Sequence, residues 1–347
     1  MRNYPYLVTI QATLRCNLTC PMCYREHLPP DVLADMNRQN MPMDRFEQLA
    51  AQILPYAKTV NLSVAGEPLL VPHLDQILTI LGHYQCKLEL FTNVTPLASD
   101  RLMDKILPHV GVLRASIDGA TKETFELIRE GADFEKVVYA LERFGKLRKS
   151  LPPPIPAYGF HVVMQRDNIE ELPDIVRLAG RVGADFVSAD HIIVLSHSMK
   201  EQAVDPAGDA YHRAHEEACR IARELGLDIM IPAPAPKPRE STDSNQVPSK
   251  LKAKRVECPY LWNQVFVNFN GETVPCCHPE PPLFPGDGID DFWSVWNGPE
   301  AQRIRTTYQT AKAHPSCSNC YLLKGDGTPV GEESEVYNLA DFEENHR

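Results

Sequence analysis

The sequence predicts an α/β fold built on a mostly parallel sheet. Three observations carry this. Short β-branched runs recur along the first two thirds of the chain. Amphipathic stretches at helical spacing separate them. The alternation is the signature of βαβ units. Six strand-like runs are fewer than the eight of a closed (β/α)8 barrel. An open, partial barrel is one solution and a doubly wound sheet the other.

The runs follow in order as YLVTIQA (6–12), TVNLSVAG (59–66), KLELFTN (87–93), GVLRASIDG (111–119), AYGFHVVM (157–164) and DFVSADHIIV (185–194). The stretch DRFEQLAAQILPYA opens a helix with Asp44 as its expected N-cap. LDQILTILGHY, SDRLMDKILPHV, DFEKVVYALERFGKLRK and IEELPDIVRLAGRVG supply further helices, the last closing on Gly183. After the helix at 210–226 the pattern breaks. These features place a first domain at 1–230. Residues 231–255 are Pro-rich and polar and read as a linker or surface loop. A second unit spans 256–325. In it VFVNFNGETVPCC reads as a hairpin turning on Asn270-Gly271. Residues 326–347 form a polar, acidic tail.

Composition narrows the function. Lys and Arg number 35 against 46 Asp and Glu, a net charge of -11, which argues against nucleic acid and anionic membrane as partners. No apolar run is long enough for a membrane span, and the N-terminus lacks a signal peptide, so the expected compartment is cytoplasmic. In a reducing compartment ten cysteines point to metal ligation rather than disulfides.

The stretch LRCNLTCPMCYRE places Cys16, Cys20 and Cys23 at C-x3-C-x2-C directly after the first predicted strand. Ligands gather at the C-terminal ends of strands in such folds. Three thiolates can hold three irons of a cubane and leave the fourth open for chemistry. A zinc knuckle using His27 as fourth ligand is the competing reading. The spacing resembles that of the radical SAM enzymes. The resemblance implies a partial (β/α)6 TIM-like barrel with a [4Fe–4S] cluster on Cys16, Cys20 and Cys23. S-adenosylmethionine (SAM) then chelates the open iron. One electron cleaves it to methionine and a 5′-deoxyadenosyl radical, which abstracts a hydrogen from substrate. A flavodoxin- or ferredoxin-type protein is the implied reductant.

Further residues extend the resemblance. Ala65-Gly66-Glu67 is similar to the family's Gly-Gly-Glu motif, which implies that Gly66 and Glu67 contact the SAM amino group. FTNVTPL implies a cofactor contact at Asn93. SIDG implies one at Ser116, with Asp118 facing cofactor or substrate. Met22, where the family often has an aromatic residue, and Tyr24 are expected near the adenine. Cys258, Cys276 after Gly271-x4, and the C-x2-C pair Cys317 and Cys320 resemble the twitch domain, a shortened SPASM extension. The resemblance implies one auxiliary [4Fe–4S] cluster there. Four thiolates also suit a structural zinc site.

Of the other cysteines, Cys86 and Cys219 read as apolar fillers, while Cys277 is a candidate hydrogen donor. His161, Asp190 and His191 lie on predicted strands five and six as candidate proton acceptors. An all-cysteine auxiliary cluster suits electron transfer. The first functional expectation is therefore net oxidation or epimerisation of a small polar molecule such as a sugar, nucleoside or aminocyclitol. The alternative is a maturase that modifies or crosslinks a ribosomally made precursor peptide. Only fifteen residues precede Cys16, too few for the N-terminal peptide-binding domain of many maturases, which tilts the expectation to a small substrate. A non-enzymatic Fe–S or zinc scaffold is the third reading.

Overall fold

A computed structural model describes residues 4–62, 65–194, 197–235, 258, 260–276, 284, 286–318 and 320. The predicted linker lies mostly outside these residues, and the tail wholly so.

The chain forms β1 (Leu7–Ile10), α1 (Pro30–Met36), α2 (Met43–Ile53), β2 (Thr59–Asn61), α3 (Leu74–His83), β3 (Lys87–Thr92), α4 (Asp100–Ile106), β4 (Val110–Ser116), α5 (Lys122–Ile128) and α6 (Phe134–Leu147). It continues through β5 (Ala157–Met164), α7 (Leu172–Arg181), β6 (Phe186–His191), α8 (His197–Gln202), α9 (Asp209–Leu225) and β7 (Asp228–Met230). The C-terminal unit adds α10 (Tyr260–Asn263), β8 (Gln264–Val267), β9 (Thr273–Val274), α11 (Phe292–Trp296), α12 (Pro299–Thr307) and α13 (Pro315–Ser318). All six predicted strands form, each within about two residues of its expected start. Asp44 is not the cap of α2: Pro42 occupies the N-cap and Asp44 lies in the first turn, where its charge still favours the helix N-terminus.

The nine strands among the described residues make one sheet in the order β7-β6-β5-β4-β3-β2-β1-β8-β9. Every pair is parallel except the β8–β9 hairpin. Among the described residues β1 and β6 are not neighbours, so the sheet is open and the architecture is the partial barrel. The hairpin is not separate from it. β8 pairs with β1 from Leu7↔Gln264 to Ile10↔Val267 and continues the barrel sheet past its first strand. Gly271 sits at φ +92° and its amide donates to the Asn268 carbonyl at 2.9 Å, so the glycine, without Asn270, takes the left-handed position of the turn.

The two faces of the sheet differ. On β5, Tyr158, Phe160, Val162 and Met164 are buried against the helices, Tyr158 edge-on to Phe144 of α6. The alternate residues face the lumen. A closed barrel fills that space with branched apolar side chains. Here Arg114 of β4 pairs with Glu89 of β3 at 2.8 Å and lies over the rings of Phe91 and Phe186. His161 meets the edge of Phe91. A polar, half-buried lumen is a binding surface rather than a core.

Candidate functional site

The cysteine loop is held from several sides. Buried Arg25 donates to the Leu14 carbonyl and, at 2.6 Å, to Asn37 Oδ1. The Cys23 amide donates to the Cys20 carbonyl at 2.9 Å, and the Glu26 amide to the Cys23 carbonyl at 3.0 Å. From the barrel, the Glu67 amide donates to the Arg15 carbonyl at 2.7 Å. Gly66 stands between them at φ +83°; a Cβ there would lie 2.5 Å from the Arg15 oxygen. The glycine of the predicted motif is thus required by close packing against the cysteine loop as well as by its backbone conformation.

Glu67 is 1% exposed. Its carboxylate accepts from Thr92 Oγ1 at 2.8 Å and from the amides of Asn93 at 2.8 Å and Leu69 at 3.2 Å. Burial pushes its pKa up to about 7, against these donors. It therefore ties the second and third strand ends together. Asn93 Nδ2 reaches Asn17 Oδ1 at 3.0 Å and stands 4.0 Å from Cys16 Sγ. The next residue, Val94, adopts φ +69°, rare for a β-branched side chain. The turn is imposed by its surroundings, since Thr92 Oγ1 accepts from the Val94 amide and Asn93 Oδ1 from Thr95.

The fourth strand end contributes Asp118, which is fully buried. Its Oδ1 accepts from the Val163 amide at 2.7 Å, and its Oδ2 is paired with Arg129. This position differs from the expectation that Asp118 faces cofactor or substrate directly: its carboxylate is engaged by Arg129. The Arg129 guanidinium also reaches the Cys20 sulfur. Burial alone would lower the Arg129 pKa, but Asp118 and Cys20 hold it above the ordinary value. The sequence reading missed Arg129. Its only signal was its place at the end of the helix after SIDG.

Cys16, Cys20 and Cys23 are close enough to influence one another. Burial pushes the Cys20 thiol up to about 11, with Arg129 opposing and Cys23 and Cys16 adding to the rise; Cys23 is also raised by burial. Among the described residues no group of three or more His, Cys, Asp and Glu side chains converges tightly enough for a single metal ion. A cubane asks for less convergence, because each thiolate takes its own iron. Three mutually coupled thiols beside one guanidinium fit such a cluster better than a zinc knuckle. His27 Nε2 is engaged with the Pro21 carbonyl at 2.9 Å. Tyr24 is raised by burial beside Cys23, and Met22 is half-buried on the same loop.

The second set shows similar coupling. Burial pushes Cys317 up to about 11, helped by Cys258 and Cys320, and Cys258 is raised by burial with Cys320 adding to it. Cys276 follows β9 and packs against the main core, as do Cys258 and Cys317. Cys277 lies outside the described residues. Cys86 is 3% exposed, its thiol directed at the Ala57 and Leu54 carbonyls, in keeping with a filler.

The three candidate proton acceptors separate. His161 and Asp190 share the lumen face, with Nε2 and Oδ2 3.8 Å apart. His191 does not join them. It follows Asp190 by one residue, so it turns to the opposite face and packs on Tyr211 of α9 at 5.2 Å. Ser116, the expected cofactor contact, is the register partner of His161.

Profiles of known families decide the relationship. The radical SAM superfamily profile matches residues 10–179, and that of an iron–sulfur cluster-binding domain, SPASM, matches 258–321. The chain belongs to the radical SAM superfamily. Its C-terminal unit is a SPASM/twitch domain. Its cofactors are SAM and iron–sulfur: a [4Fe–4S] cluster in the barrel and auxiliary iron–sulfur in the C-terminal domain. The tungsten-containing aldehyde ferredoxin oxidoreductase cofactor-modifying protein of Pyrococcus furiosus is 25% identical over 281 residues, 79% of this chain and 70% of that protein. The PqqA peptide cyclase of Bradyrhizobium diazoefficiens is 21% identical over 284 residues, 78% of this chain and 66% of the cyclase. Streptococcus suis SuiB bound to its precursor peptide SuiA superimposes with a TM-score of 0.65 at 16% identity, over 93% of this chain and 71% of SuiB, a likeness of fold. No described helix of this radical SAM enzyme is long and apolar enough to cross a membrane.

Proposed function

We propose that this enzyme is a peptide maturase, which admits a segment of a ribosomally made precursor to the barrel lumen and modifies or crosslinks it. The observation that carries the reading is the match to a peptide cyclase along 78% of the chain. The sequence reading put a small polar substrate first, and this relative shifts the weight to the peptide. The open sheet supports it, since a lumen with an open side can receive a chain as well as a free molecule.

Cys16, Cys20 and Cys23 would ligate the barrel cluster, with Glu67, Asn93 and Ser116 around SAM. Gly66 keeps that wall against the loop, and Asp118 holds Arg129 beside Cys20. When bound, the cluster and SAM supply a 5′-deoxyadenosyl radical that abstracts hydrogen. Cys258, Cys276, Cys317 and Cys320 would hold one auxiliary cluster. The working compartment is the cytoplasm, with a flavodoxin- or ferredoxin-type reductant. The gene neighbourhood should encode a short precursor peptide, and anaerobically reconstituted protein with SAM, a strong reductant and that peptide should give a peptide changed in mass. A peptide left unmodified while SAM is cleaved would count against the reading.

A small polar substrate remains as a second reading. The Pyrococcus relative, named for modifying a cofactor, favours it, as does the charged lumen. Turnover of a sugar, nucleoside or aminocyclitol from the same gene neighbourhood would establish it.

A further inference from the structure

The lumen face carries a row of register partners across three strands: Ser116 of β4, His161 of β5 and Ser188 of β6. His161 Nδ1 lies 3.1 Å from Ser188 Oγ. The Ser188 hydroxyl donates to the Phe160 carbonyl at 3.1 Å. A hydroxyl has one proton, so with that proton on Phe160 the oxygen can only accept from the ring. The imidazole hydrogen is therefore fixed on Nδ1, and the lone pair on Nε2. Nε2 faces Asp190 Oδ2 at 3.8 Å.

The groups around the ring set its charge. Burial lowers the His161 pKa; Asp190 of β6 and Asp118 after β4 oppose this, while Arg129 of the α5 C-terminus and Arg114 of β4 reinforce it. Glu89 of β3 is paired with Arg114 and so does not face the ring as a free charge. The ring is neutral near pH 7.

We propose that His161 is the proton acceptor of the lumen, with Ser188 fixing its tautomer and Asp190 waiting as counter-ion for the protonated ring. This deepens the substrate-site reading above and rests on it. In the step, an X–H bond of the substrate breaks, its electron pair stays on X, and the proton forms an N–H bond at Nε2. The imidazolium so formed faces the Asp190 carboxylate, the order of events that makes a neutral base effective. No oxidant enters this step. Ser188 acts through His161 and is a positioning residue.

Holo-protein labelled with 15N-histidine, its clusters oxidised, tests the arrangement. His161 is assigned by the resonance that His161→Gln removes. The expected spectrum shows the Nδ1–H tautomer, titrating below the ordinary 6.5. Ser188→Ala should mix the tautomers, Ser188→Thr should restore Nδ1–H, and Asp190→Asn should move the titration to still lower pH. An Nε2–H ring in the wild type, or a tautomer indifferent to Ser188→Ala, overturns the proposal. With the neighbouring precursor peptide, His161→Gln should lower the ratio of product to 5′-deoxyadenosine by about 100-fold or more, and Ser188→Ala by about tenfold, with KM unchanged. Unchanged ratios overturn the acceptor role. A wild-type enzyme that leaves the peptide untouched refutes the peptide reading instead, and the tautomer spectra still decide this one.

Discussion

The cysteine loop after β1 is one short segment fixed by groups from several elements, whereas the C-terminal cysteines are spread along the second unit, Cys258 before α10, Cys276 after the hairpin that pairs with β1, and Cys317 and Cys320 at α13. Around the first set stand Glu67, Asn93, Asp118 and Arg129, each buried or nearly so and each in a specific hydrogen bond. In the second unit Cys258, Cys276 and Cys317 pack against the main core, and the same unit holds buried Arg305 over Trp296 at 4.3 Å, donating to the Trp296 carbonyl. A cluster completed by protein needs little more than ligands in place. One left open needs walls for its exchangeable partner, and that is where the polar density lies.

The comparison breaks most visibly in metal content. Intact reconstituted protein should hold about eight irons in two cubanes. Changing Cys16, Cys20 and Cys23 to Ala should leave about four and abolish 5′-deoxyadenosine release, while changing Cys317 and Cys320 should spare the barrel cluster. Four irons with one zinc in the intact protein would show that the second set is a zinc site.

A smaller effect should come from the glycines. Gly66→Ala forces a side chain into the Arg15 carbonyl at positive φ and should cost about 2–4 kcal/mol, with loss of the barrel cluster. Gly271→Ala meets the Asp287 carboxylate, which can yield only by giving up its bonds to Arg45 and the Ile289 amide, so it should also destabilise, but its effect should fall on the hairpin and leave the barrel cluster in place. Equal losses in urea unfolding and iron content would erase the distinction.

Next comes pH. The folded Glu67 pKa of about 7 lies above the ordinary 4.5. Folded protein keeps this proton where the unfolded chain has lost it, so stability is fully present below pH 4.5 and declines as pH rises to about 7. The decline is on the order of 3 kcal/mol. Glu67→Gln should flatten that part of the Tm profile of SAM-free protein, and an unchanged slope would mean that the carboxylate is ionised throughout.

The smallest effect belongs to one of the contacts between α2 and the C-terminal unit. Arg45 of α2 bridges Asp287 and, at 2.7 Å, Asp290. Both pairs are partly exposed, so Arg45→Ala should lower stability by about 0.5–1 kcal/mol, and less in high salt. A larger loss would mean that the C-terminal unit depends on this bridge more than on its strand pairing.

Periodicity made the six barrel strands legible, because alternating burial is written locally. The cysteine spacing and the Asn-Gly turn were legible for the same reason. Arg129 was not, since its partner Cys20 is distant in sequence, and neither was the left-handed Val94, since a β-branched residue gives no signal for positive φ even though the bonds that hold the turn are local. The expectation for His191 failed on parity: the residue beside Asp190 on a strand must point the other way.

The pairing of β8 with β1 also sets an order of assembly. Leu7 and Gln264 are register partners 257 positions apart (264 minus 7). Contacts of such high order form late, after the loop between them has been closed. During synthesis β1 leaves the ribosome well before β8, so one of its edges stays bare until the strand 257 positions later has emerged. The cysteine loop it leads into gains its final flank only then. Iron loading should accordingly follow the emergence of β8 rather than that of the cysteine loop itself.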